Sequence, residues 1–339
     1  MCLPKDSLDV MEEEKLEWSS DGLEKPLMMF WRKKRIGLAL GGGGARGLAH
    51  IGVLRVLERE RIPVDLIVGT SIGALVGAAY ASGISPDELR KRADEYLNSP
   101  EFQSSAMKAF ETARAKGELG LTEKIQTYFR NTFYLIQAML KPGILPNEDF
   151  QTTIDYFIPD IQIQETRIPF RAVATDLVSG EEIIFSKGSL RQAVMASCAV
   201  PGAIAPVKEG ERLLSDGGII CLVPSSVARQ EGADIVIAVA VDRGLRSEEL
   251  RNVVDVYLRT SEIMAQKLKE YELADADVVI LPEVGDLHWS HFSDAMNLID
   301  EGEKAATEKL DDIRHNMSGL KNWFRFRKNP KRKTKRASP

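Results

Sequence analysis

Ile36–Leu40, an unbroken apolar run, ends directly in Gly41-Gly-Gly-Gly-Ala-Arg-Gly47, and the helical stretch Leu48 to Glu60 follows without a linker. Strand, glycine turn and helix in that order admit few architectures. The unit recurs: Leu66–Val68 is a second apolar run, Gly69-Thr-Ser-Ile-Gly73 is the turn, and a helix is predicted over Ile72 to Ala81. Further strands are predicted at Phe170–Ala174, Glu182–Phe185, Ile235–Val241 and Val278–Leu281, with helices near Ser247–Tyr271 and Ser293–Asn316. Apolar strands alternating with helices predict an α/β fold whose sheet is covered on both faces.

Residues 101–148 break this rhythm. They read as all-helical, with an apolar cluster at Phe129, Phe133, Tyr134, Leu135, Ile136, Met139 and Leu140. We expect an insertion over the carboxyl edge of the sheet, where α/β folds bind their ligands, forming either core or a lid. One domain is expected over residues 34–316, between an arm at 1–33 and a tail at 317–339. The arm is acidic (Glu12-Glu-Glu14, Glu17, Asp21, Glu24) and turns basic at Met28-Met-Phe-Trp-Arg-Lys-Lys-Arg35. From Lys321 onward the tail holds nine Lys or Arg and no acid, with Trp323, Phe324, Arg325 and Phe326 at its head. A solvated, disordered end is one reading of it; a basic, aromatic patch for anionic lipid is the other.

With Lys plus Arg at 45 against Asp plus Glu at 50, the net charge of −5 argues against a nucleic-acid partner. Cys2, Cys198 and Cys221 are odd in number and lack metal-ligand spacing, and no His and carboxylate cluster has it either, so no disulfide framework, metal or cofactor is expected. The longest apolar runs, Ala74–Ala81 and Ile235–Val241, fall well below the ~18 residues of a spanning helix, and the acidic start does not read as a secretion signal. A soluble, cytoplasmic protein is expected, with peripheral membrane contact through the tail as an option.

Three elements carry chemistry. Glycines at a strand-to-helix turn let backbone N–H groups approach a ligand, and the helix start adds positive potential, so Gly41–Gly47 is an anion cradle. Gly42-x-Gly44-x-x-Gly47 also fits the dinucleotide fingerprint, but Asp65 stands at the wrong end of its strand to hold a ribose, and no Lys-Ser or Lys-Thr follows for a P-loop. A nucleotide- or phosphate-binding module is thus the first competing reading. Ser71, in Gly69-x-Ser71-x-Gly73, is either a helix-capping serine or a nucleophile on a strained elbow. Asp216-Gly217-Gly218 is either an ordinary turn or a carboxylate held by closely packed backbone. A serine nucleophile needs a base. His50 sits on a helix, and His288 and His291 flank Trp289 in a predicted loop, so a Ser71, Asp216 and His288 or His291 triad is a second competitor. A membrane-docking or scaffolding protein with a degenerate site is a third. Asp176 reads as a strand end, and Ser197 and Cys198 as a helix end before Pro201 or part of a loop lining the cleft.

Leu38 to Leu54, Gly69-Thr-Ser-Ile-Gly73 and Asp216-Gly-Gly218 together resemble the patatin-like phospholipase family, with further similarity at Ile168–Asp176 and Ala196–Pro201. The resemblance covers about residues 36–230 and implies a mixed, mostly parallel central sheet sandwiched between helices, the three-layer patatin-like α/β fold. It implies a serine acyl hydrolase acting on lipid carboxylic esters, of phospholipase A or lysophospholipase type, through a Ser-Asp dyad without histidine. Ser71 would be the nucleophile and Asp216 the base. The oxyanion hole would be built from Gly42, Gly43, Gly44 and Arg46, with the N–H groups of Gly43 and Gly44 foremost. Gly69, Gly73, Gly217 and Gly218 would support the two turns. An unperturbed carboxylate is a weak base towards an alcohol, so a dry pocket is expected to raise the pKa of Asp216. One departure stands out: the family often carries an asparagine two residues before the next proline, and Cys221-Leu-Val-Pro224 has none.

Overall fold

The computed structural model describes residues 33–115, 143–242, 244–245, 250, 253–285 and 287–318. Its strands are β1 (Ile36–Leu40), β2 (Leu66–Thr70), β3 (Gly143–Leu145), β4 (Phe170–Asp176), β5 (Glu182–Phe185), β6 (Gly202–Ile204), β7 (Val207–Glu209), β8 (Arg212–Asp216), β9 (Ile235–Val239) and β10 (Val278–Ile280). Its helices are α1 (Ala49–Arg59), α2 (Ile72–Ala81), α3 (Pro86–Asn98), α4 (Pro100–Gln103), α5 (Ala106–Ala115), α6 (Asn147–Phe157), α7 (Leu190–Ser197), α8 (Ser225–Gln230), α9 (Val253–Leu273), α10 (Ala295–Glu308) and α11 (Leu310–Met317).

Among the described residues the main sheet runs β10-β9-β1-β2-β4-β8-β7, with β5 also paired to β4. The pairs from β10 to β4 are parallel, and those of β4 with β5 and β8, and of β7 with β8, are antiparallel. This is the mixed, mostly parallel sheet expected. The apolar strands are continuous because both faces are covered. Ile36, Leu38 and Leu40 of β1 enter one core with Ile235, Ile237 and Val239 of β9, while Ala39, Val236 and Ala238 enter the other. The first core is closed by residues of α1, α2, α3 and α10, and the second by Val227 and Ala228 of α8. Each fully buried Leu or Ile contributes about 2 kcal/mol, and the alternation fixes the register.

The predicted strands are all present, with ends shifted by a residue or two. The short strands β3, β6 and β7 carry no signal in the sequence and were not expected. The stretch Ser293–Asn316 is divided into α10 and α11 at Lys309. Of the predicted insertion, α5 and β3 fall among the described residues; the cluster from Phe129 to Leu140 lies outside them, as do the N-terminal arm through residue 32 and the tail with Lys321, Trp323, Phe324 and Arg325. Among the described residues no helix is long and apolar enough to cross a membrane, and no group of His, Cys, Asp and Glu could hold a metal ion.

Candidate active site

β2 ends at Thr70 and α2 begins at Ile72, which leaves one residue to turn the chain. Ser71 makes that turn at φ 55° and ψ −127°. A non-glycine residue in such a conformation costs of order 1–3 kcal/mol and persists only where its surroundings hold it. Here its N–H donates to Ser197 Oγ at 2.9 Å, and that hydroxyl donates to Val173 O at 2.6 Å. The flanking glycines are required by space. A Cβ at Gly73 would lie 2.2 Å from Leu40 O, and one at Gly69 would lie 2.5 Å from Gly73 O.

Strand register carries Asp216 to the same place. Thr70 lies opposite Val173 and Ala174 lies opposite Asp216, so β4 has the elbow on one side and the acid on the other. Two strand spacings are about 10 Å of backbone, a gap that two side chains close. A Cβ on Gly217 would meet Val173 O at 2.4 Å, so only glycine lets the chain turn here against β4. The Asp216 carboxyl is 6% exposed and accepts the Gly218 N–H at 2.7 Å. Burial pushes its pKa from 3.8 up to about 6, while hydrogen bonds from Ser71 and from Gly218 pull it down. This is the direction expected of a dry pocket.

The glycine loop lies against the elbow: a Cβ at Gly42 would come within 3.3 Å of Ser71 Cβ. Its amides are not equivalent. Gly41 N–H donates to Val239 O and Gly42 N–H to Leu222 O, both at 2.9 Å, whereas Gly43 and Gly44 N–H have no such partner among the described residues. Gly42 is therefore removed from the expected oxyanion donors, because its proton is already engaged. Arg46 also differs from expectation. Its Nε donates to Gly43 O at 3.0 Å and the side chain is buried, so it braces the loop from within. Gly44, at φ +61°, packs on Trp289, whose carbonyl accepts the Ala45 N–H at 2.6 Å.

The histidines stand apart from this pair. His50 is fully buried and its Nε2 donates to Gly41 O at 2.8 Å; burial lowers its pKa to about 4, which keeps it neutral. His288 Nδ1 pairs with Ser290 Oγ at 2.8 Å, and His291 faces Glu111. Among the described residues, no hydrogen bond of Ser71 or Asp216 involves a histidine. Asp176 ends β4 as expected, its carboxylate accepting the N–H groups of Val178 and Leu213.

The loop of Ser197 and Cys198, one of whose two readings put it at the cleft, stands beside the elbow. Cys198, at the end of α7, is a neighbour of Ser71, and its thiol is pushed well up by burial and by Asp216, so it stays protonated. Ser197 holds the elbow from 126 residues away, a distance at which only the motif-like run Ala196–Pro201 gave a hint. A cavity of about 80 Å³ opens beside the elbow, lined by Ile72, Leu75, Val76 and Ala79 of α2 and by aromatic residues including Tyr96, Phe150 and Phe292.

Residues 38–227 match the family model described as patatin-like phospholipase. Patatin-like phospholipase domain-containing protein 7 of Mus musculus is 37% identical over 224 residues, which are 65% of this chain and 14% of that protein. An uncharacterized NTE family protein of Mycobacterium bovis is 35% identical over 208 residues, 61% of this chain and 49% of its own. The chain thus matches only a minor part of the length of these relatives. The crystal structure of VipD from Legionella pneumophila aligns with 83% of this chain and 67% of its own, at TM-score 0.42 and 16% identity. With more than half of its residues matched by one family model, from the glycine loop through the Asp216 turn, the chain belongs to the patatin-like phospholipase family.

Proposed function

We propose that this chain is a serine acyl hydrolase cleaving carboxylic esters of lipids, phospholipid or lysophospholipid in class, with Ser71 as nucleophile and Asp216 as base. The hydrolytic domain is assigned to residues 34–316. The observation that carries the reading is the buried Asp216 carboxyl, brought to the Ser71 elbow by the register of β2, β4 and β8 and raised by burial to about 6. A carboxylate of that basicity is ionised at neutral pH and can take the Ser71 proton as Oγ attacks the ester carbonyl. Negative charge then develops on the carbonyl oxygen, where the N–H groups of Gly43 and Gly44 are available; a donor of this kind contributes about 3 kcal/mol. Collapse of the intermediate expels the alcohol, which takes the proton back from Asp216 and leaves an acyl-Ser71 ester. Water, deprotonated by Asp216, attacks that ester, and the serine returns with its proton.

The apolar cavity running along α2 from the residue after Ser71 supports an acyl chain as the group transferred. A phosphate cradle is less well supported, since the Gly41 and Gly42 amides are occupied by Val239 O and Leu222 O. A histidine triad lacks a histidine at the pair.

The test is labelling with a fluorophosphonate, peptide mapping, and turnover on a panel of lipid esters. Wild type should be labelled on Ser71. Ser71→Ala and Asp216→Asn should abolish turnover in folded protein, while the His288→Ala, His291→Ala double variant should keep it. More than a few per cent of activity in Asp216→Asn would end the dyad assignment, and a thermal shift with nucleotides in a protein that resists labelling would favour the phosphate reading.

A further inference from the structure

The loop after Asp216 lacks the family's asparagine, and Leu222 stands in its position. Its backbone is held all the same. Leu222 N–H and Val223 N–H donate to the two carboxylate oxygens of Glu272, each at 2.9 Å. The carbonyls of the same two peptide units face the opposite way, as the trans peptide requires. Cys221 O accepts Thr70 Oγ1–H at 2.9 Å, and Leu222 O accepts Gly42 N–H at 2.9 Å. Each unit is therefore a bridge with Glu272 at one end. At the other end stands the residue before Ser71 in one case and the glycine loop in the other. The Leu222 side chain fills the gap between them, its Cδ1 3.0 Å from a Cβ built on Gly42 and 3.2 Å from one on Gly218.

Glu272, near the end of α9, is 7% exposed, a burial that a carboxylate adopts only with partners. An ionised acceptor polarises the peptide that donates to it and strengthens the carbonyl at its far end. We propose that Glu272 is a positioning residue for the candidate site, setting the nucleophile elbow and the oxyanion loop together through the Cys221–Leu222 and Leu222–Val223 peptides. Its effect on rate rests on the Ser71 reading above; its effect on the two loops does not.

The charge state of Glu272 offers a readout. A protonated carboxyl gives up one acceptor position to its own O–H, so one bridge weakens when Glu272 is neutral. Burial raises its pKa to about 7 against the pull of the two N–H bonds, with Glu182 of β5 and Asp242 after β9 adding like charge. Asp242 itself is paired with Lys269 of α9 at 2.7 Å, and the Cys221 thiol, the remaining titratable neighbour, is held protonated by burial.

Two measurements on the full chain test this. In an NMR titration of wild type, the amide protons of Leu222 and Val223 should shift with a midpoint near 7, and that of Gly42 should follow with the same midpoint. Glu272→Gln keeps one acceptor and loses the ionisation. It should be labelled on Ser71 about tenfold more slowly at pH 8. Its rate should fall on acidification with a single midpoint near 6, that of Asp216, where wild type falls more steeply through both groups. Glu272→Asp should restore the second acid component. The proposal is overturned if Gly42 ignores the titration of Leu222 and Val223, or if Glu272→Gln keeps both the wild-type rate and the wild-type profile. Should Glu272→Gln not fold, the Gly42 titration decides alone. Wild type that resists labelling at every pH would remove the Ser71 reading, and the role of Glu272 in the two loops would then stand or fall on that titration.

Discussion

The burial that raises the Asp216 pKa also weakens the fold near neutral pH. Its folded pKa of about 6 stands above the unfolded value of 3.8, so the native state holds the proton more tightly. Stability from this group is full below about pH 4 and is lost as the pH rises through about 6. The difference corresponds to about 3 kcal/mol. Asp216→Asn keeps an oxygen for the Gly218 N–H and has no charge to bury. It should therefore be more stable than wild type by up to about 3 kcal/mol at pH 8, with the gain gone below pH 4. Urea denaturation at the two pH values measures this, and a variant equal to wild type at pH 8 would contradict it. At this scale Ser71 and Asp216 were legible because each lies inside a short motif whose glycines serve the same turn. Glu272 was not, and the partners of Ser197 were not, because both depend on contacts far apart in the chain, 50 residues between Glu272 and Leu222 and 126 between Ser197 and Ser71.

Elements were legible in proportion to their length and burial. β1, β2 and β9 are apolar on both faces, and no other reading suits such short runs bounded by glycine or turn residues. β3 and β7, three residues each, have no room for a period. The crossing of α1 with α10 was equally hidden. Gly52 looks like a weak point in a helix, since glycine there costs about 1 kcal/mol against alanine. In the fold, a Cβ at Gly52 would lie 1.9 Å from Ile299 O, and one at Gly302 would lie 2.0 Å from Ala49 O. The two backbones touch, so helix propensity is outweighed by contact. Gly52→Ala and Gly302→Ala should each lower stability by about 2 kcal/mol or more, read as a fall in Tm by circular dichroism. An unchanged or raised Tm would mean that the helices are free to separate.

For the whole molecule, the modest net charge of −5 conceals an acidic start and a basic end. We propose that the tail beginning at Lys321 contacts anionic lipid, its cations attracted to the surface and Trp323 and Phe324 entering the headgroup layer. Truncation after Gly319 should weaken co-sedimentation with anionic vesicles, most at low salt where charges are screened least, and should leave Ser71 labelling in solution unchanged. Equal sedimentation of the two forms would dispose of the proposal.

Local patterns alone determined the class of fold and the two turns that hold the serine and the acid, because strand period, glycine spacing and helix starts act over a few residues. Tertiary structure decided which amides of the glycine loop stay open, what braces the loop after Asp216, and how basic Asp216 becomes. Those properties depend on which groups exclude water from one another, and burial of that kind comes from residues that meet only when β4 lies between β2 and β8.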